Sequence, residues 1–182
     1  MDAVNVGPGL YSFGAKSEAA VADLGLEELQ PDQSLASRVL YVGKAEDSLS
    51  TRLAGTHFAV GRSGHSTVRR TLGALLCLEA IPRSGKVESP TRKQLMTATA
   101  NFAFTLDDDR RLSEWMFANL DIRTFATTVS PLAYLERAVG RALRPPLDQD
   151  PKPFWTPNPW RPFVASARKR IRAGLRLELG LD

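Results

Sequence analysis

Short apolar runs separated by polar, turn-forming residues set the rhythm of this chain, and that rhythm predicts a mixed α/β domain. Gly9-Leu10-Tyr11-Ser12-Phe13-Gly14 reads as a strand bracketed by glycines. Strand alternation puts Leu10 and Ser12 on one face and Tyr11 and Phe13 on the other. A short helical pattern follows from Glu18 to Leu29, then a loop around Pro31. Arg38 to Ala45 is a second strand, expected to pair with the first as a hairpin across this long connection. Leu49 and Leu53, four residues apart, share one face of a helix predicted over Ser48 to Phe58, as do Arg52 and Thr56. Ser66 is a good N-cap for a helix from Thr67 to Leu78, whose Val68, Leu72, Leu75 and Leu76 make one stripe.

Pro82, Gly85 and Pro90 mark a loop, and the pattern from Thr91 to Asn101 is ambiguous. Phe102 to Leu106 alternates as a strand does. Asp107-Asp108-Asp109 opens a turn or helix start, and a helix is predicted from Leu112 to Leu120. An acidic cluster at that place is read as complementing the helix dipole in preference to holding a metal. Asp121 to Thr128 suits a further strand. Pro131 fits the first turn of a helix over Leu132 to Leu143, and Arg144-Pro145-Pro146 ends it. Residues 148 to 162 form an irregular strap rich in proline and tryptophan, and Phe163 to Leu179 is a basic amphipathic helix. In the strap, Trp155, Trp160 and Phe163 either stack on bases or, the preferred reading, pin the tail to the core.

Composition changes this picture little. With 182 residues and 43% hydrophobic content, the chain is long enough for one domain with its own core. No apolar run approaches the roughly 18 to 20 residues that cross a bilayer, and the N-terminus lacks a signal-peptide pattern, so a cytoplasmic protein is expected. The single Cys77, in Leu75-Leu76-Cys77-Leu78, reads as a small core residue. Charge is more informative. The net charge is only +4, yet residues 1 to 35 carry Lys16 as their only basic side chain. The basic residues gather between Arg38 and Lys93 and again in ARKRIRAGLR near the end. That distribution implies a polyanionic partner.

The candidate chemistry concentrates in Arg38 to Arg70, which holds Tyr41, Lys44, Arg52 and both histidines, His57 and His65, on strand ends, turns and helix starts. Gly9-Leu10-Tyr11, followed about thirty positions later by Tyr41-Val42-Gly43-Lys44, resembles the signature of the GIY-YIG nucleases. Arg52, His57-Phe58 and His65-Ser66 resemble further residues of that family in the same order. Leu135 to Pro145 is the strongest match, with Glu136 and Pro145 nine positions apart, as the family's catalytic glutamate and its following proline are. Twelve positions after the glutamate the family usually has asparagine, and this chain has Asp148.

The resemblance implies a mixed α+β fold, a small three-stranded antiparallel sheet flanked by helices. Residues 1 to 148 would form the nuclease-like domain, with an insertion at about 79 to 120. Residues 149 to 182 would add the strap and basic helix to the same domain. It also implies a phosphodiester hydrolase acting on DNA, RNA not being excluded, with Mg²⁺ or Mn²⁺ held by Glu136. Tyr11, assisted or replaced by His57, would act as general base, and Tyr41 would orient water or phosphate. Lys44 and Arg52 would favour a phenolate, and Arg52 would clamp phosphate oxygens. His65 is either part of the site or a helix-start donor. Asp148 serves as an acceptor, helps hold the metal, or marks weakened activity. Arg62, Arg69, Arg70, Arg168, Lys169, Arg170 and Arg172 are expected to neutralise phosphates without reading sequence. Two other readings stand beside this one: an inactive nucleic-acid-binding protein of the same fold, and a protein–protein module built on the Trp/Pro strap.

Overall fold

The computed structural model describes residues 7–26, 39–83, 89–148 and 160–181. The loop around Pro31, Arg38, Gly85 and the strap with Trp155 lie outside these residues. Strands β1 (Gly9–Ala15), β2 (Val39–Ala45) and β5 (Leu120–Ala126) form an antiparallel sheet in the order β2-β1-β5. Tyr11 lies opposite Gly43 on one side and Thr124 on the other, and Leu10 lies opposite Lys44 and Phe125. Directly opposed residues share a face, so Tyr11 and Phe13 do leave the sheet opposite to Leu10 and Ser12. The mixed α+β architecture, with one three-stranded antiparallel sheet between helices, is the one expected.

The helices follow their end signals. In α1 (Glu18–Ala22), Ser17 caps the start, and Gly25 at φ 64 turns the chain away soon after, well short of the predicted Leu29. The expected helix over Ser48 to Phe58 is two pieces: α2 (Leu49–Arg52), then a π turn, Leu53–His57. A 3-10 turn, Ser63–His65, leads into α3 (Thr67–Leu75). There Leu78 N–H bonds back to Gly73 O at 2.9 Å, which closes the helix and puts Cys77 at φ 55. The left-handed residue points outward, so Cys77 is exposed and not the core residue expected.

The segment from 79 to 120 folds as β3 (Ala80–Ile81), α4 (Arg92–Ala100), β4 (Ala103–Phe104) and α5 (Leu106–Asn119). The ambiguous stretch is helical because Thr91 and Gln94 form a capping box. The predicted strand over Phe102 to Leu106 shrinks because Thr105 caps α5, which starts a turn and a half earlier than expected and takes up all three aspartates. Helix α6 (Leu132–Leu143) has the predicted bounds, with Arg144 left-handed at its end. Helix α7 (Arg161–Glu178) lays Val164, Ala167 and Leu175 into the core that holds Phe13, Leu40, Leu72, Phe102 and Met116. Trp160 is buried there too, the pinning role preferred for it. Among the described residues no helix is long and apolar enough to cross a membrane.

Candidate active site

Three local features bring the aromatic groups together. Strand β1 aims Tyr11 at the face where β2 presents Tyr41, their ring centroids 6.1 Å apart. Between them lies Gly43, where a β-carbon would come within 2.5 Å of the Tyr11 Cζ and Oη. The π turn then delivers His57. Phe58 N–H bonds to Leu53 O, one residue further back than an α-helix allows, so the last turn is wider. Leu53 and His57 are both buried in consequence. Tyr11 Oη lies 2.6 Å from His57 Nε2, and His57 Nδ1 lies 2.8 Å from Ser66 Oγ. Ser66 also caps α3 by accepting from Arg69 N–H at 3.2 Å. Phe13 packs edge-on against the imidazole, its ring centroid 5.6 Å away. The result is a buried relay, Tyr11–His57–Ser66.

Its electrostatics follow from burial and from which charges face it. Burial, together with Arg52 and Arg69, pushes His57 down to about 3, so the imidazole is neutral at physiological pH. Burial raises Tyr11, while Arg52 and a hydrogen bond from Tyr41 act the other way. Tyr41 is held well above the usual tyrosine value by burial, then by Tyr11, Asp148 and Glu136. Of the two phenols, Tyr11 is therefore the easier to ionise. Glu136 on α6 reaches both tyrosines electrostatically, and Asp148, buried behind Pro145-Pro146, faces Tyr41. Leu147 N–H bonds to Leu40 O at 2.9 Å, which fixes that segment beside β2.

Not every expected residue joins this group. Lys44 opposes Leu10, leaves β2 on the face away from Tyr11, and pairs with Glu46. Strand alternation excludes it from the role given to it. His65 is exposed on the 3-10 turn, 3.4 Å from an Arg83 nitrogen, and sits with the arginines and not with the tyrosines. Partial desolvation and then Arg83, Arg62 and Arg70 hold its imidazole below the usual value. Arg62, Lys169 and Arg170 are exposed.

Arg69 requires a full correction, because it is completely buried and cannot meet a DNA phosphate. Its guanidinium pairs with Asp109 at 2.6 Å and bonds the His57 carbonyl at 2.8 Å and Ser113 Oγ at 2.9 Å. It braces the π turn from behind. Ser66, Asp109 and Ser113 are thus site-building residues that sequence reasoning missed as such. Ser66 carried a signal, an N-cap serine nine positions after a histidine, whereas Asp109 and Ser113 lie 40 and 44 residues from Arg69.

As for metals, no three His, Cys, Asp or Glu among the described residues converge on one point. His57 commits both ring nitrogens to Tyr11 and Ser66. The other groups that act on one another there carry oxygen: the phenols and the Glu136 and Asp148 carboxylates. A hard cation that keeps most of its waters fits such a set, and a zinc ion does not. Neither the curated proteins nor the solved structures compared with the chain give a match. A family model described as the GIY-YIG catalytic domain matches residues 9–169. That span holds the relay, Arg52, Glu136 and Asp148 alike, and on it the chain belongs to the GIY-YIG nuclease family.

Proposed function

We propose that the chain is an endonuclease that hydrolyses phosphodiester bonds in DNA, using a divalent metal, Mg²⁺ or Mn²⁺, held by Glu136. One observation carries this reading: a tyrosine bonded at 2.6 Å to a buried histidine that stays neutral, with Arg52 beside it. Hydrolysis needs a base for water, relief of charge on the phosphoryl oxygens, and help for the leaving oxygen. Tyr11 supplies the base as its phenolate, and Arg52 favours that ionised form. Ser66 O–H donating to Nδ1 would leave the His57 proton on Nε2, from which it donates to the Tyr11 phenolate and aims it. Tyr41, kept protonated, donates to Tyr11 or to a phosphate oxygen. Arg52 also clamps a phosphate oxygen through its planar fork. Glu136 would hold the cation, which when bound would supply Lewis-acid stabilisation of the phosphate and leaving group and would favour the Tyr11 phenolate against the effect of burial.

The direct test is nicking of supercoiled plasmid at low salt with Mg²⁺, Mn²⁺ or EDTA, wild type against Glu136→Ala. Metal-dependent nicking that the substitution abolishes is expected; nicking that survives it removes Glu136 from the reaction. Asp148, where the family has asparagine, favours one competing reading, an inactive protein that binds nucleic acid. On that reading plasmid is bound and released intact under every metal condition.

A further inference from the structure

Outside the relay, a group of arginines that act on one another lies where α3 packs on α7. Arg168, Arg172 and Arg176 are four residues apart on α7. They follow one edge of its buried face in steps of about 6 Å. All three are half-buried, unlike their exposed neighbours Lys169 and Arg170. Arg70 comes in from α3, buried, with one guanidinium nitrogen on Gly64 O at 2.7 Å and another 3.2 Å from Thr67 Oγ1. Arg83 and His65 extend the group toward the 3-10 turn.

We infer that Arg70, Arg168, Arg172 and Arg176 form a built site for the phosphates of a nucleic-acid strand, lying apart from the Tyr11–His57 relay and gripping the substrate beside the bond to be cut. The site rests on the nuclease reading only for the identity of its ligand. Among the described residues, the Nε atoms of all four arginines are buried and meet no hydrogen-bond partner. A donor in that condition costs free energy until an acceptor arrives. The groups also oppose one another. Burial, then Arg172 and Arg70, bring Arg168 down to about 10. Arg70 is lowered by burial, Arg172 and Arg83, and Arg172 by burial and Arg176. Among the described residues, only arginines act on these three guanidiniums electrostatically.

A row of guanidiniums about 12 Å long spans three to four successive phosphates of one strand, at about 3.4 Å of axial rise each. A single small anion would satisfy one or two of them. The position is informative as well. Arg70 bonds Gly64 and Thr67, which flank Ser66, the residue that orients His57. A strand held on the row is therefore tied through one short segment to the catalytic relay.

The test compares three full-length proteins, all in a Glu136→Ala background and in EDTA so that no cleavage intervenes. They are the background itself, the triple variant Arg168→Gln/Arg172→Gln/Arg176→Gln, and the control Lys169→Gln/Arg170→Gln. Binding of a short labelled duplex is followed against salt. The triple variant is expected to bind at least about tenfold more weakly, with the salt slope reduced by roughly 2.7, or 0.9 per lost phosphate contact. The control is expected to change the slope by less than half as much. An equal loss per removed charge in the two variants, a control slope change of about two-thirds that of the triple variant or more, would mean a diffuse basic surface and overturn the inference. Thermal melts with tripolyphosphate, a probe that does not require duplex, separate the ligand sources. Stabilisation by tripolyphosphate that the triple variant loses, with duplex affinity unchanged, would mean a small-anion site and also overturn it. The single variant Arg172→Gln, expected to lower the slope by about 0.9, covers the case in which the triple does not fold. Since binding is read without metal, α7-dependent binding stands even if the wild type never nicks plasmid, so the two proposals fail separately.

Discussion

Gly43 lies directly against the Tyr11 ring, so closely that a β-carbon there would meet both Cζ and Oη at 2.5 Å. The second tripeptide of the signature thus ends in glycine for a packing reason: the strand opposite must be bare for Tyr11 to reach His57. Gly43→Ala should push the ring aside and lengthen the Tyr11–His57 contact. The cost in stability should be about 1 to 3 kcal/mol, as for other overpacked sites. Nicking should fall by about two orders of magnitude, the scale of a misplaced catalytic group. Single-turnover rates beside a thermal melt check this, and a well-folded variant with full activity would remove the steric argument.

The Arg69–Asp109 pair should behave as architecture and not as DNA contact. Asp109→Ala strands a fully buried guanidinium and should destabilise the fold by about 3 to 5 kcal/mol. The double variant Arg69→Met/Asp109→Leu should recover much of that loss, because two apolar side chains replace two desolvated charges. Urea unfolding gives both numbers. The salt slope of DNA binding provides the contrast with α7, since it should not change in the double variant. A slope lowered by about one unit would return Arg69 to the phosphate-contacting set.

These two cases show what the sequence could and could not convey. The strand bearing Tyr11 and the bounds of α6 were legible because their signals are local: flanking glycines in one, Pro131 and Arg144-Pro145 in the other. Arg52, His57 and Glu136 stood out by their order along the chain, and all three act on Tyr11 in the fold. The π turn was not, since one extra residue in a turn leaves the apolar spacing of Leu49 and Leu53 intact. Nor was Arg69, which looks like its neighbour Arg70 in any charge count until Asp109 arrives from α5 to bury it. Cys77 misled for a similar reason, because an apolar neighbourhood does not reveal that the helix closes with that residue left-handed.

Stability should depend on pH through His57. Its folded-state pKa, about 3, lies below the ordinary 6.5, so the unfolded chain binds the extra proton first. The contribution is whole above about pH 6.5 and is lost as pH falls toward 3, by roughly 1.4 kcal/mol per unit once the unfolded imidazole is charged. Denaturant midpoints between pH 7 and 4 should therefore fall more steeply in the wild type than in His57→Gln. Parallel curves for the two proteins would mean that His57 is solvated and charged in the fold.

The catalytic pH profile should run on a different group. With His57 neutral throughout, no inflection of histidine type is expected between pH 5 and 7. The base is a buried phenol whose pKa lies above the usual tyrosine value before metal binds. Only the phenolate can take a proton from water, so the rate should climb with pH across the neutral and alkaline range, about tenfold per unit while the phenolate is the minor form. Tyr11→Phe should abolish the rise and cost about two to four orders of magnitude in rate, the usual worth of a general base. Tyr41→Phe should lower the rate less and keep the slope, because that phenol acts while protonated. If the slope disappeared with Tyr41 and survived the loss of Tyr11, the two tyrosines would have to exchange roles.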